Sequence, residues 1–174
     1  MKNMKEVHPT MILCVPLLIE TMYHKIWANI RKNGMEKMVK KALAASNASR
    51  KIGIDLRKKL FSEIHETFGG KLRMMIAGGA AVDPDILKGL RDFGILAVQG
   101  YGLTECAPLA AVNRDKFYCD SSAGLATPNA TLEIVDAAED GTGDIRFKGE
   151  NIMLGYYKAP ELTAEVIVDG WLYT

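Results

Sequence analysis

The densest chemistry in the sequence lies in one run, Gln99-Gly100-Tyr101-Gly102-Leu103-Thr104-Glu105. Glycines on both sides of a tyrosine let backbone approach a bound molecule closely, while one aromatic face stays free to stack on a planar base. A Thr hydroxyl beside a Glu carboxylate can serve a phosphate oxygen and a hard cation such as Mg²⁺ together. The same residues also suit a plain tight turn, with Glu105 in the first turn of a helix, where carboxylates are favoured anyway. On residue types alone the two roles stand level. The run lacks the G-x-G-x-x-G spacing of a dinucleotide loop, as does Gly78-Gly79, and there is no G-x-x-x-x-G-K-[ST] run. These absences weigh against a Rossmann dehydrogenase and a P-loop ATPase. Cys14, Cys106 and Cys119 show no Cys-x-x-Cys spacing and read as reduced packing groups; His8, His24 and His65 show no metal-ligand spacing.

The elements around the run must hold it in place. Leu72 to Ala77 reads as a short strand entering Gly78-Gly79-Ala80-Ala81. Asp83 is a good N-cap, Pro84 suits the first helical position, and Ile86, Leu87, Leu90 and Phe93 give a buried face up to Gly94. Ile95 to Val98 is the next strand and delivers the run at Gln99. Strand, helix, strand at this spacing predicts a βαβ unit in a parallel sheet, with ligands at the carboxyl ends of the strands.

Upstream, Met11 to Val15 reads as a buried strand stopped by Pro16. A helix carrying Leu18, Met22, Ile26 and Ile30 follows and ends near Gly34. Residues 35–51 predict a solvated, lysine-faced helix and then a loop at Ser46-Asn47-Ala48-Ser49. Leu56, Leu60, Phe61, Ile64 and Phe68 form one stripe of a further helix. Beyond residue 120 the rhythm is β: Thr131–Val135 and Asp144–Phe147 alternate, Asp140-Gly141 and Asp169-Gly170 are turns, Pro160–Val166 is a helix, and Trp171 starts a strand. The expected organisation is an α/β portion at 1–119 and a β-rich, barrel-like portion at 120–174.

Composition narrows the partners. The 174 residues carry 22 Lys+Arg against 21 Asp+Glu, which argues against nucleic acid as a partner. The near-zero sum hides a basic stretch over residues 1–70 and an acidic one after it. A hydrophobic fraction of 48% fits a soluble globular protein, and Met11 to Ile19 is too short to span a bilayer. The start lacks the apolar stretch of a signal peptide, so a cytoplasmic location is expected. Lys37, Lys40, Lys41, Arg50 and Lys51 leave a peripheral contact with anionic lipid open.

Four stretches, taken together, resemble a known family. Gln99 to Glu105 is similar to the central signature of the adenylate-forming superfamily of acyl-CoA synthetases, luciferases and peptide-synthetase adenylation domains. Gly78-Gly79-Ala80-Ala81 resembles its adenine-binding turn, Gly149 to Lys158 the loop before its domain hinge, and Asp169 to Thr174 the segment that continues there with Gly-Asp. Pro9-Thr10, Val15-Pro16, Glu20 and Asp83-Pro84 resemble the long-chain fatty acyl-CoA synthetase branch. Asn129, Asp144 and Glu150 depart from the usual pattern, away from the nucleotide residues.

The resemblance implies ATP, Mg²⁺ and CoA, with a fatty acid or other carboxylate as the activated group. It implies adenine stacking for Tyr101 and pocket walls from Gly79, Ala80, Ala81, Gln99 and Gly100. Gly102 and Leu103 would border the mouth for the carboxylate. Thr104 would sit at the α-phosphate, and Glu105 would bind the metal. It implies that the phosphate loop lies upstream of residue 1, and that the ribose aspartate and the assisting lysine lie beyond Thr174. On that basis the chain is an internal fragment, inactive alone and inclined to self-associate through uncovered edges. The alternatives are an aryl-CoA ligase, an amino-acid adenylation domain, or a non-catalytic nucleotide-binding module.

Overall fold

The computed structural model describes residues 2–174 and divides into two compact units that meet in sequence at Gln99/Gly100. In the first unit the elements are α1 (Lys2–Val7), β1 (Met11–Cys14), α2 (Pro16–Lys32), α3 (Glu36–Lys51), α4 (Arg57–Leu60), α5 (Ser62–Thr67), β2 (Met74–Ala77), α6 (Pro84–Asp92) and the start of β3 (Leu96–Tyr101). The expected βαβ unit is present: β2 pairs with β3 in parallel, Met74 opposite Leu96 and Ala77 opposite Gln99. Strand β1 joins the other side of β2, also in parallel, with Met11 opposite Met74. The Asp83 side chain accepts from the Asp85 N–H at 2.8 Å, so the predicted cap of α6 is made.

The core of this unit follows the helical spacing. Ile19, Met22, Ile26 and Ile30 are buried along α2, where each fully buried side chain contributes roughly 1.5–3 kcal/mol. They pack with Leu87, Leu90 and Phe93 and with Met75 and Ala97 of the sheet.

Three expectations are corrected here. Strand β1 is not buried and ends at Cys14: among the described residues it pairs on one side only, with Met11 49% and Leu13 73% exposed. The polar run Ser46–Ser49 is the last part of α3, not a loop. Val39 and Ser46 are buried on that helix, with Ala42 and Leu43 packed against the core between them, so Ser46 occupies a core-facing position as a small residue. The single stripe from Leu56 to Phe68 is broken into α4 and α5 at Phe61. Its ring is buried edge-on against Phe93 at 5.2 Å, and this contact overrides helical continuity.

In the second unit the last residues of β3 pair antiparallel with β4 (Ala111–Val112), which pairs with β5 (Leu125–Ala126). A four-stranded antiparallel sheet follows, from β6 (Ala130–Val135), β7 (Asp144–Gly149), β8 (Ile167–Val168) and β9 (Trp171–Tyr173), in the order β6-β7-β9-β8. Helix α7 (Pro160–Val166) has the predicted bounds. Phe147, Leu172, Cys106 and Ala110 form the buried centre. Among the described residues no helix is long and apolar enough to cross a membrane.

Candidate functional site

The first unit builds the glycine-alanine turn at the carboxyl end of β2. The Gly78 N–H donates to the Cys14 carbonyl at 3.1 Å. At the other end, the Val82 N–H donates to the Gln99 side-chain oxygen at 2.9 Å. Between these anchors Gly79 takes a φ of +91°, which favours glycine, with open space where a Cβ would stand. Ala80 and Ala81 are exposed. Gln99 is 6% exposed, so its amide shapes the turn from within the fold.

The second unit carries Gly100, Tyr101, Gly102, Leu103, Thr104 and Glu105. The two glycines are required by the protein's own backbone. A Cβ on Gly100 would stand 2.8 Å from the Ala111 carbonyl oxygen, and one on Gly102 would collide with the Pro108 carbonyl. Tyr101 is half-buried, and its hydroxyl lies 2.7 Å from the Thr174 hydroxyl. Thr104 to Cys106 form one 3₁₀ turn, closed by the Ala107 N–H on the Thr104 carbonyl at 3.2 Å. The Cys106 thiol is buried and donates to the Leu103 carbonyl at 3.3 Å, the geometry of a packing group.

Glu105 is held from a part of the chain that the residue types did not single out. The Tyr156 hydroxyl donates to Glu105 Oε1 at 2.7 Å, and the Met153 N–H donates to the Glu105 carbonyl at 2.7 Å. Asn151 Nδ2 donates to the carbonyls of Cys106 at 2.7 Å and Leu109 at 3.0 Å. The Tyr156 hydrogen bond holds the Glu105 carboxyl below its ordinary value and pushes the Tyr156 hydroxyl up. The only sequence signal for these partners was the run from Gly149 to Lys158 itself. The N–H of Glu105 itself pulls its carboxyl the same way, and Tyr156 is the one side chain that hydrogen-bonds it among the described residues. A cavity of about 500 Å³ lies in the first unit among α2, α3 and α5, lined by Ile26, Ile30, Val39 and Phe61, and none of the expected site residues lines it.

The chain resembles known proteins along its whole length. A guinea pig (Cavia porcellus) long-chain-fatty-acid–CoA ligase 1 is 30% identical over 187 residues, covering 100% of this chain and 27% of the relative. A peroxisomal long-chain acyl-CoA synthetase 7 of Arabidopsis thaliana is 30% identical over 194 residues, again 100% of this chain and 27% of the relative. The chain thus spans about a quarter of the length of the curated relatives it matches. Among solved structures, VinN superposes with a TM-score of 0.65 at 25% identity, over 99% of this chain and 37% of VinN. A long-chain-fatty-acid-CoA ligase (FadD1) of Archaeoglobus fulgidus superposes with a TM-score of 0.60 at 18% identity, over 99% of this chain and 32% of that one. The family model described as AMP-binding enzyme matches residues 1–157. That match takes in every residue of the glycine-alanine turn, the 3₁₀ turn and the loop that grips it, and the chain belongs to the AMP-binding enzyme family.

Proposed function

We propose that this chain is the central part of an ATP-dependent acyl-CoA synthetase that activates a long-chain fatty acid. The observation that carries the proposal is the family match over residues 1–157, joined to relatives named as long-chain ligases that align with the whole chain. By the family resemblance Tyr101 takes the adenine-stacking role and Gly79, Ala80, Ala81 and Gly100 the role of adenine-pocket walls, and Gln99 braces the glycine-alanine turn. Gly102 and Leu103 border the mouth through which the carboxylate enters. Thr104 meets the α-phosphate.

The donor set fits Mg²⁺. Among the described residues no cluster of three or more His, Cys, Asp or Glu side chains could hold a metal. Mg²⁺ at nucleotide sites needs only one or two carboxylates, because substrate phosphates and water complete its shell. Glu105, whose carboxyl group is exposed and carries its charge, would be that carboxylate. The cation, when bound, neutralises phosphate charge.

The reaction runs in two half-reactions. The fatty acid carboxylate attacks the α-phosphorus of ATP, forming an acyl-phosphate bond and breaking the bond to pyrophosphate. The thiolate of CoA then attacks the acyl carbonyl, a thioester forms, and AMP leaves. The protein's part is alignment and charge stabilisation, with no covalent intermediate on a side chain.

The test is fatty-acid-dependent pyrophosphate exchange by the full-length protein carrying Glu105→Gln. A loss of about 100-fold is expected, the scale for a transition-state electrostatic contact. Exchange within about twofold of wild type, in a variant that folds normally, would remove the metal role.

A further inference from the structure

The loop from Gly149 to Tyr157 grips the turn that bears Thr104 and Glu105. Four hydrogen bonds cross between them: two from Asn151 Nδ2, one from the Met153 N–H and one from the Tyr156 hydroxyl. The grip is itself anchored. The Thr163 hydroxyl donates to the Ala159 carbonyl at 2.9 Å, so its oxygen accepts the Tyr156 N–H at 2.9 Å. Gly155, at φ +148°, presses on the same threonine: a Cβ there would stand 2.9 Å from Thr163 Oγ1 and Cγ2. Helix α7 therefore fixes the backbone of Tyr156, and Tyr156 fixes one oxygen of Glu105.

We propose that Tyr156 and Asn151 are positioning residues for the phosphate and cation end of the site, Tyr156 acting through the Glu105 carboxylate and Asn151 through the carbonyls of Cys106 and Leu109. The inference rests on the function proposed above and deepens it. Tyr156 holds one oxygen of an otherwise exposed carboxylate, so less conformational freedom is lost when that side chain meets its ligand. Asn151 does the corresponding work on the backbone. With its two donors in place, the carbonyls of Cys106 and Leu109 need no water, and the 3₁₀ turn keeps its shape.

Tyr156→Phe removes only the hydroxyl and keeps the ring, so folding is spared. In the full-length protein it should raise the Mg²⁺ concentration for half-maximal pyrophosphate exchange by about tenfold, the worth of one hydrogen bond to a charged group. The KM for fatty acid should stay within about twofold. In a Glu105→Ala background the same change should add less than about twofold, because the side chain it acts through is gone. Without nucleotide, Asn151→Asp should speed hydrogen exchange at the amides of Cys106 and Met153, whereas Tyr156→Phe should speed exchange at Met153 alone. A severe Glu105→Gln with a silent Tyr156→Phe would overturn this inference and leave the proposed function standing. Equal damage by Tyr156→Phe with and without Glu105 would overturn it too. A silent Glu105→Gln would overturn both.

Discussion

Tyr101 owes its orientation to hydroxyl chemistry. Thr174 gives both its N–H, at 2.9 Å, and its hydroxyl, at 3.3 Å, to the Ile145 carbonyl. With its own proton spent there, the Thr174 oxygen accepts, and Tyr101 is the donor at 2.7 Å. The hydroxyl is tied and the half-buried ring packs against the core around Cys106 and Phe147, while the proposed function asks its face to stack on adenine. Tyr101→Ala in the full-length enzyme should therefore raise the KM for Mg·ATP by roughly 5- to 150-fold, corresponding to the 1–3 kcal/mol of a base–aromatic stack. Tyr101→Phe, which keeps the face and loses the tether, should cost only a few-fold. Equal losses from the two substitutions would place the function of Tyr101 in its hydroxyl and not in its ring.

At the scale of elements, histidine sets a pH limit on the first unit. His65 on α5 donates from Nε2 to the Phe93 carbonyl at 2.9 Å. Burial pushes its pKa below the ordinary histidine value of 6.5, Lys58 and Arg57 push the same way, and the bond to Phe93 opposes them. The folded state thus resists a proton that the unfolded chain accepts. Stability from this residue is complete above about pH 6.5 and drains away as pH falls toward the lower folded value. His65→Gln should flatten the dependence of the urea midpoint on pH between about 5 and 7; an unchanged slope would remove His65 as its source.

Much of the element structure was legible in the sequence, and the exceptions share a cause. Asp83, Pro84 and the apolar spacing of α6 are local signals, and the β2-α6-β3 unit follows from them. The break at Phe61 depends on Phe93, thirty-two positions away, which no local pattern announces. Strands β4 and β5 have two residues each and carry no alternation to read. The same holds for the site. The glycines, Tyr101, Thr104 and Glu105 stand out by type, but Tyr156 and Thr174 act across 51 and 73 positions.

For the whole molecule, the uncovered side of β1 is the main liability. Among the described residues its backbone pairs with β2 alone, and Met11 and Leu13 on the strand are 49% and 73% exposed. An apolar strand edge of this kind recruits further strands. The 174-residue chain should therefore scatter light with a mass above its 19.1 kDa. Leu13→Lys should shift the population toward monomer without lowering helix content, because a charge on an edge strand repels its copy. A monodisperse wild-type monomer would show that this edge is not adhesive.

The burial of Cys106 beneath the gripping loop gives the molecule its own clock. Among the three thiols Cys119 is exposed, Cys14 is half-covered and Cys106 is sealed. A small thiol-reactive dye will consume Cys119 at once. It reaches Cys106 only during the moments when the turn beside Glu105 lifts away from Asn151. In a variant with Cys14 and Cys119 replaced by serine, and at dye concentrations where labelling outpaces reclosing, the slow rate counts those liftings. Nucleotide or metal that settles on the turn should lengthen the interval between them, and the modification rate would register occupancy without any turnover.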